Sequence, residues 1–330
     1  MEIKKCIFVL VLKLFYSNRP FVLILIPIFI VGCIVLNIQL EHFIPRDNVS
    51  YGLWGELLSQ NSLLSPVFSG LIILGNGLLI NIIFNRNEFL DKNNYLITFL
   101  YTILLSFFHG FYYLDGYVIA QFFLVLALHN VFKLNQNEDG RKTVFNISIM
   151  MGIAATFAPL LLITFPFLFW VIWVIRPFVF KESILAIVGF LLPMLYAGLF
   201  GKFYGLSIGL DNFTVNFSYI SKIDFVIVVS LTILLILFSL GGLIRKIQHA
   251  SIRLRKLIRV LMLSSFIFMV IALVELTVFK SVAMVSCLLI YVMFILPYAF
   301  LNKKSALIPS ILFYLLFFYI VGKFFNPFTF

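Results

Sequence analysis

Four residues have the side chains and the approximate grouping that a transfer reaction at a membrane surface requires. Glu41, Arg46 and Asp47 lie in one polar stretch, residues 40–58, which follows the first long apolar segment, and His109 lies in a second polar stretch, FFHGFYYLDGY. A carboxylate can deprotonate an acceptor, and cations can hold a departing phosphate. These four residues are therefore the candidate catalytic residues. The alternative is that both stretches are solvated connections between helices, since connecting segments are generally polar.

The composition excludes a water-soluble fold. Hydrophobic residues make up 63% of the chain and charged residues 11%, whereas about a quarter of the residues of a soluble domain are charged. Lipid must therefore be the solvent for most of the surface. The sequence predicts an all-α, polytopic transmembrane helical bundle. The three cysteines have neither metal-binding nor disulfide spacing, so no metal and no cofactor is expected.

Apolar runs of about 20 residues predict transmembrane helices. They predict about eleven spans, of which the pair around Pro159 and Pro166 is either two full spans or a re-entrant hairpin. The predicted spans are residues 20–40, 66–84, 95–109, 116–133, 144–158, 160–175, 183–201, 225–243, 259–278, 281–301 and 306–325. Residues 1–19 are predicted to form an interfacial amphipathic helix, and residues 20–330 a single transmembrane domain.

The positions of the basic residues predict the orientation of the chain. The net charge of +11 comes largely from Lys and Arg in short loops at alternate ends of the apolar runs. Cytoplasmic loops are enriched in these residues, so the N-terminus is predicted to be cytoplasmic and the C-terminus outside, in a bacterial inner membrane. This explanation of the charge makes nucleic acid an unexpected partner.

The most basic loop, residues 245–259, alternates basic and apolar residues. This pattern predicts a short amphipathic helix on the inner leaflet, where it would contact anionic lipid or an acidic partner. Membrane topology alone also explains much of this charge. The candidate contact residues are Arg245, Lys246, Arg253, Arg255, Lys256 and Arg259.

Glu275 is the ionisable residue that stands out inside an apolar span. A carboxylate in hydrocarbon is costly and usually faces a partner or a cavity. Glu275 lies less than about one turn from the predicted outer end of its span, near Lys280, so snorkelling to the interface is the favoured interpretation. In the second span, Asn76, Gly77 and Asn81 form a small, polar stripe that is predicted to pack against other helices.

Three sequence motifs lie between residues 145 and 205. The second, RPFVFKES, predicts a tight turn after which Ser183 caps the next helix. The motif residues are Gly152, Ile153, Ala154 and Pro159, then Arg176, Pro177, Phe178, Lys181 and Glu182, then Gly189, Phe190 and Pro193. Together they resemble a family of uncharacterised multispanning inner-membrane proteins of Bacteroidota. That family has no assigned activity, so the resemblance implies a location and no mechanism.

The order of the polar elements gives a second resemblance. A polar loop after the first span is followed by YLDGYVIAQFFLVLALHNVFKL, a basic loop and the hairpin GIAATFAPLLLITFPFLFWVI. This layout is similar to that of the GT-C glycosyltransferases, which transfer sugars from polyprenyl phosphates outside the cytoplasm. The resemblance implies that Glu41 or Asp47 is the catalytic base and that Arg46 binds the phosphate.

Three functions therefore remain open. The sparse charge inside the spans favours a structural or accessory subunit of a cell-envelope complex. The second resemblance favours a GT-C-like glycosyltransferase acting on polyprenyl-linked glycan at the outer face of the membrane. The region of Pro159 suggests a broken helix of the kind found in transporters. The expected partners are membrane lipids and, depending on the function, other envelope membrane proteins or a polyprenyl-phosphate lipid.

Overall fold

The computed structural model describes most of the chain and shows an all-helical fold. The described residues are 15, 21–40, 51–54, 64–134, 139–203, 222–279, 281–300 and 307–322. Within them there is no β-strand, and six helices are long and apolar enough to cross a membrane. These features confirm the predicted all-α class and give the chain the architecture of a multi-pass membrane protein.

Each apolar run that predicts a span contains a helix. The helices are α1 (Phe21–Gln39), α2 (Ser65–Arg86), α3 (Leu96–Leu105), α4 (Gly116–Leu134), α5 (Arg141–Phe157), α6 (Phe165–Ile175), α7 (Phe180–Phe203), α8 (Lys222–His249), α9 (Ile252–Val274), α10 (Ala283–Val292) and α11 (Leu307–Gly322). Helices α3 and α10 have only 10 residues each. At about 1.5 Å per residue they reach about half of the hydrocarbon core. The number of complete spans therefore stays a prediction.

The predicted interfacial helix, residues 1–19, lies outside the described residues apart from Phe15. This residue is buried, and its ring stacks on that of Phe99 in α3 with 3.7 Å between the centroids. Its carbonyl oxygen accepts a hydrogen bond of 2.9 Å from the N–H of Tyr95. Phe15 therefore packs against the start of α3.

Polar contacts between helix ends define a basic end of the bundle, where α2, α4, α6 and α8 finish. Here the ammonium of Lys246 lies 2.7 Å from a carboxylate oxygen of Asp91. The ammonium of Lys256 donates to the carbonyl oxygen of Ile175 over 3.2 Å. The first contact joins α8 to the connection after α2, and the second joins the start of α9 to the end of α6.

The basic segment 245–259 forms the end of α8, a tight turn and the start of α9. Helix α8 continues to His249, and α9 begins at Ile252. The hydroxyl of Ser251 caps α9 by accepting a hydrogen bond of 3.3 Å from the N–H of Leu254. The prediction of a separate amphipathic helix is wrong. In the α9 part, Leu254, Leu257 and Ile258 are buried in the bundle and belong to the inner face of a long helix, whereas Ile252 is exposed.

Two connecting segments, residues 51–54 and 106–115, pack together over the opposite end of the bundle, which we call the cap end. The hydroxyl of Tyr51 donates to the carbonyl oxygen of Leu114 over 2.9 Å. The N–H of Leu114 in turn donates to the hydroxyl of Ser65, at the start of α2, over 2.8 Å. At least this part of the connection after α1 is therefore held against the bundle.

Helices α5 and α6 form a hairpin that crosses the bundle in both directions. Near the end of α5, Thr156 accepts a hydrogen bond of 3.0 Å from the indole N–H of Trp54 at the cap end. A 3₁₀ turn, Pro159–Thr164, separates the helices because its first residue has no N–H to continue α5. Helix α6 then ends at Ile175, which binds Lys256 at the basic end. The two helices therefore run between the cap end and the basic end of the bundle.

Two motif glycines allow α5 and α7 to touch along their backbones. A Cβ at Gly152 would lie 2.5 Å from the carbonyl oxygen of Phe190, and a Cβ at Gly189 would lie 3.0 Å from that of Phe145. Small residues permit this close approach of membrane helices. The first and third motifs therefore have a packing role in this chain.

The turn between α6 and α7 is closed by an ion pair. The guanidinium of Arg176 lies 3.7 Å from a carboxylate oxygen of Glu182, and both side chains are largely buried. Helix α7 already begins at Phe180, so Ser183 lies inside it and donates to the carbonyl oxygen of Val179 over 3.4 Å. The prediction that Ser183 caps the helix is therefore wrong.

The polar stripe of α2 lies in the core, as predicted. Asn76 and Asn81 are both buried. A Cβ at Gly77 would lie 2.8 Å from the methyl group of Thr98, whose hydroxyl donates to the carbonyl oxygen of Gly77 over 3.0 Å. The glycine thus lets α2 and α3 approach closely enough for a side chain to bond a backbone carbonyl.

Candidate functional site

The described part of the structure contains one of the four candidate catalytic residues. Glu41, Arg46 and Asp47 lie outside the described residues, whereas His109 lies in the segment at the cap end. His109 is only 1% exposed, and its ring centroid is 5.3 Å from that of Tyr113. The histidine is therefore an interior side chain of the cap rather than one that faces open solvent.

The end of α1 lies beside the same segment. The amide of Asn37 donates to the hydroxyl of Tyr113 over 3.4 Å. The described residues continue from there to Leu40, which directly precedes Glu41 in the chain. The predicted catalytic loop therefore starts close to the segment that carries His109.

Asp115 ends that segment and begins α4. Its Oδ1 accepts a hydrogen bond of 2.7 Å from the N–H of Val118, the arrangement of an aspartate N-cap. A Cβ at Gly110 would lie 2.9 Å from Oδ2, so the backbone of the segment comes close to the carboxyl group. Burial raises the pKa of Asp115 to about 7, although hydrogen bonds from the backbone of Val118 and Tyr117 act to lower it.

Glu275 is the centre of a polar cluster at the cap end. Its exposure is 0%. Oε1 accepts hydrogen bonds from the hydroxyls of Ser281, over 2.9 Å, and Tyr117, over 3.3 Å, and Oε2 accepts one of 2.8 Å from the N–H of Met284. The interpretation that Glu275 snorkels to the interface is wrong, because these bonds direct its carboxylate into the bundle.

The backbone around Glu275 is adapted to these bonds. Helix α9 ends in a π-helical turn, Glu275–Phe279, and α10 starts four residues later at Ala283. The first N–H groups of a helix have no partner within it, and the helix dipole favours negative charge there. The Glu275 carboxylate accepts a hydrogen bond from an N–H of the first turn of α10 and brings an acidic group to that end of the helix. It therefore acts as an N-cap supplied by another helix.

A second polar layer lies one turn further along α4. Gln121 follows Tyr117 by four residues and so shares its helix face. The side chain of Gln121 accepts a hydrogen bond of 2.8 Å from the hydroxyl of Tyr101 and donates one of 2.8 Å to the hydroxyl of Ser286. Ser286 donates in turn to the carbonyl oxygen of Ala283 over 2.6 Å. The two layers together join α3, α4, α9 and α10.

The partners of Glu275 were not identified from the sequence. One signal pointed to them, because Tyr117 and Gln121 are polar and stand at helical spacing in an otherwise apolar span. Ser281 and Ser286 have no such signal, since serine is common in spans and connections alike. Within the described residues, no group of His, Cys, Asp and Glu is arranged to hold a metal ion.

The candidate lipid- or partner-contact residues all lie near the basic end and form two sets. One set donates hydrogen bonds to groups elsewhere in the chain: Lys246, Arg253 and Lys256. The other set is exposed, as Arg253 of the first set also is: Arg245, Arg255 and Arg259. Part of the charge of this segment therefore stabilises the fold, and the rest is available at the surface.

Comparisons of the chain with protein-family models, with curated proteins and with solved structures find no match. The resemblances to the Bacteroidota family and to the GT-C glycosyltransferases therefore stay predictions. The function has to be argued from the geometry of the buried polar cluster, the cap end and the surfaces of the helices.

Proposed function

We propose that this chain is an integral protein of the bacterial inner membrane that serves as a structural or accessory subunit of a cell-envelope complex. The supporting observation is how two of its buried acids, Glu275 and Asp115, are used. Glu275 joins α4, α9 and α10 through three hydrogen bonds, and Asp115 caps α4. A catalytic acid or base must come within hydrogen-bond distance of its substrate. These two acids instead bond the chain itself.

The outer faces of three long helices offer surface for a partner. Only 28%, 28% and 22% of the most apolar stretches of α1, α7 and α8 are buried within the chain. Each carries a glycine, Gly32, Gly198 and Gly241 respectively, where an added Cβ would meet no group of the described residues within 4 Å. Small residues on a membrane helix allow a second helix to pack closely. These faces therefore suit contact with another membrane protein.

The test is gentle extraction of the tagged chain from its native membrane, followed by mass measurement of the particle and identification of its components. We expect one or more membrane proteins at a fixed ratio to the chain. Gly198→Leu or Gly241→Leu should release a partner, whereas Val226→Leu, an enlargement of a side chain that is already exposed on α8, should not. A particle that contains the chain alone, with no partner cross-linked in intact cells, would contradict the proposal.

One observation favours a second function, a GT-C-like glycosyltransferase. The end of α1, directly before Glu41, lies beside the segment that carries His109. A catalytic loop starting at this point would extend over the cap end, where the reaction of the proposed lipid-linked substrate would occur. The described acids at this end are internal, so this function depends on Glu41 and Asp47.

Glycan analysis of the cell envelope distinguishes this second function from the first. If the chain is a transferase, Asp47→Asn should abolish one glycan product, and Asp91→Asn should leave it unchanged. Asp91 is a suitable control because its side chain is 92% exposed at the basic end. Normal glycan in cells that carry Glu41→Gln, Arg46→Gln and Asp47→Asn together would exclude the transferase.

A further inference from the structure

A crevice between α6 and α9 reaches toward the basic end of the bundle. It contains a partly open, largely apolar cavity of about 40 Å³ that also touches α4, α5 and α10. The residues of α6 and α9 that line it are Phe167, Leu168, Val171, Val260, Ser264, Ile267 and Phe268. An apolar space that opens between two membrane helices suits part of an acyl chain.

Lys256 stands at the end of this crevice nearest the basic end. It precedes Val260 by four residues and Ser264 by eight, so the three side chains follow one side of α9. Val260 and Ser264 line the cavity. The ammonium of Lys256 donates to the carbonyl oxygen of Ile175, the last residue of α6, over 3.2 Å. This bond holds a positive charge between the two helices, directly above the cavity.

Two exposed arginines extend this charge around the rim of the crevice. Arg259 lies three residues after Lys256, at a neighbouring position on the helix surface, and Arg255 lies four residues before Arg259. Both are exposed. Arg255 is partly fixed, since its Nε donates to the carbonyl oxygen of Ala250 over 2.9 Å. Further along α9, Phe266 is 60% exposed and continues the rim as an apolar surface.

We propose that this crevice binds one anionic phospholipid, with its phosphate between Lys256 and Arg259 and an acyl chain against Phe266 and the mouth of the cavity, where Phe167 and Val171 are partly exposed. The charges and the apolar wall follow each other along α9 in the order of a lipid's headgroup and tail. Basic pockets between transmembrane helices bind anionic head groups in this way. The inference does not depend on the proposed function, because it concerns the leaflet at the basic end.

Native mass spectrometry of the detergent-purified chain tests this site. Phosphatidylglycerol and phosphatidylcholine with the same acyl chains serve as probes. We expect the wild type to retain one phosphatidylglycerol and little phosphatidylcholine. Lys256→Gln with Arg259→Gln should weaken phosphatidylglycerol binding about thirtyfold. Lys92→Gln with Lys142→Gln, which removes two charges from exposed positions at the same end, should leave it nearly unchanged.

Two results would overturn the proposal. One is equal retention of the two lipids by the wild type, and the other is an equal loss of phosphatidylglycerol in the two double variants. Loss of the bond to Ile175 could also disturb the fold, so Arg259→Gln alone is measured as well. Its exposed side chain makes it a mild change, and it should weaken phosphatidylglycerol binding about fivefold. Unchanged binding in this variant would also count against the site.

Discussion

Replacing Glu275 with glutamine should destabilise the chain although the side chain keeps its size. Both carboxylate oxygens accept hydrogen bonds, one from the Met284 N–H and one from the hydroxyls of Ser281 and Tyr117. An amide has one oxygen and one NH₂ group. A glutamine at this position must therefore turn its NH₂ group toward at least one of the three groups that donate to Glu275.

The expected loss follows from the bonds that are broken. A hydrogen bond to a charged group contributes about 1.5–3 kcal/mol, so we expect Glu275→Gln to lower the free energy of unfolding by about 2 kcal/mol. Glu275→Ala leaves all three donors without an acceptor and opens a cavity, so its cost should be about 4 kcal/mol or more. For a chain of this size, the glutamine variant should melt about 3 °C lower than the wild type.

The assay is thermal unfolding of the purified chain in one detergent, followed by its tryptophan fluorescence. Amide hydrogen exchange should also become faster at the start of α10, because the N–H of Met284 loses its acceptor. Glu88→Gln is the matched control, since Glu88 is exposed at the basic end. The reasoning is refuted if Glu275→Gln melts together with Glu88→Gln and exchange in α10 is unchanged.

Three further predictions concern the cap end and the contact between α5 and α7. Burial raises the pKa of Asp115 from an ordinary 3.8 to about 7. Between these two pH values the folded chain keeps the proton and the unfolded chain has lost it, so the free energy of unfolding should fall as the pH rises from 3.8 to about 7. Asp115→Asn should flatten this fall in a melting series. Gly152→Ala should lower the melting temperature by several degrees, because its Cβ would lie 2.5 Å from the carbonyl oxygen of Phe190, whereas Gly198→Ala should not. Gly52→Ala should also destabilise, because Gly52 has a φ of 61° and its Cβ would meet two carbonyl oxygens of α5; an unchanged melting temperature would contradict this packing.

The long apolar helices were predictable because the cost of an unpaired backbone in lipid forces each apolar run into a helix. Whether the hairpin at Pro159 is full or re-entrant does not follow from the sequence, since a proline that breaks a helix occurs in both kinds of hairpin. The segment 245–259 was misread for a related reason. The spacing of Leu254 and its apolar neighbours is the same whether they face lipid at the surface or other helices in a bundle.

The candidate site was only partly predictable. His109 was identified from its residue type, but its burial depends on how the cap packs. Glu275 was recognised as unusual, yet its distance from the span end favoured the interface. Its partner Tyr117 is 158 residues away in the chain, and no pattern in either span indicates that they meet. Such contacts depend on which helices pack against each other, and the hydropathy of the sequence does not indicate this.

The bonding of Glu275 has a consequence for how the chain is assembled. Synthesis reaches Glu275 when Tyr117 is already made but Ser281 and Met284 are not. An unpaired carboxylate costs about 3 kcal/mol at the centre of the bilayer and less near the end of a span, where Glu275 lies. Helix α9 therefore enters the membrane before most of the hydrogen bonds to the Glu275 carboxylate can form. The Ser281 hydroxyl and the Met284 N–H become available when α10 emerges. The two helices should be inserted as a pair, and a chain truncated before Ser281 should fail to hold α9 in place.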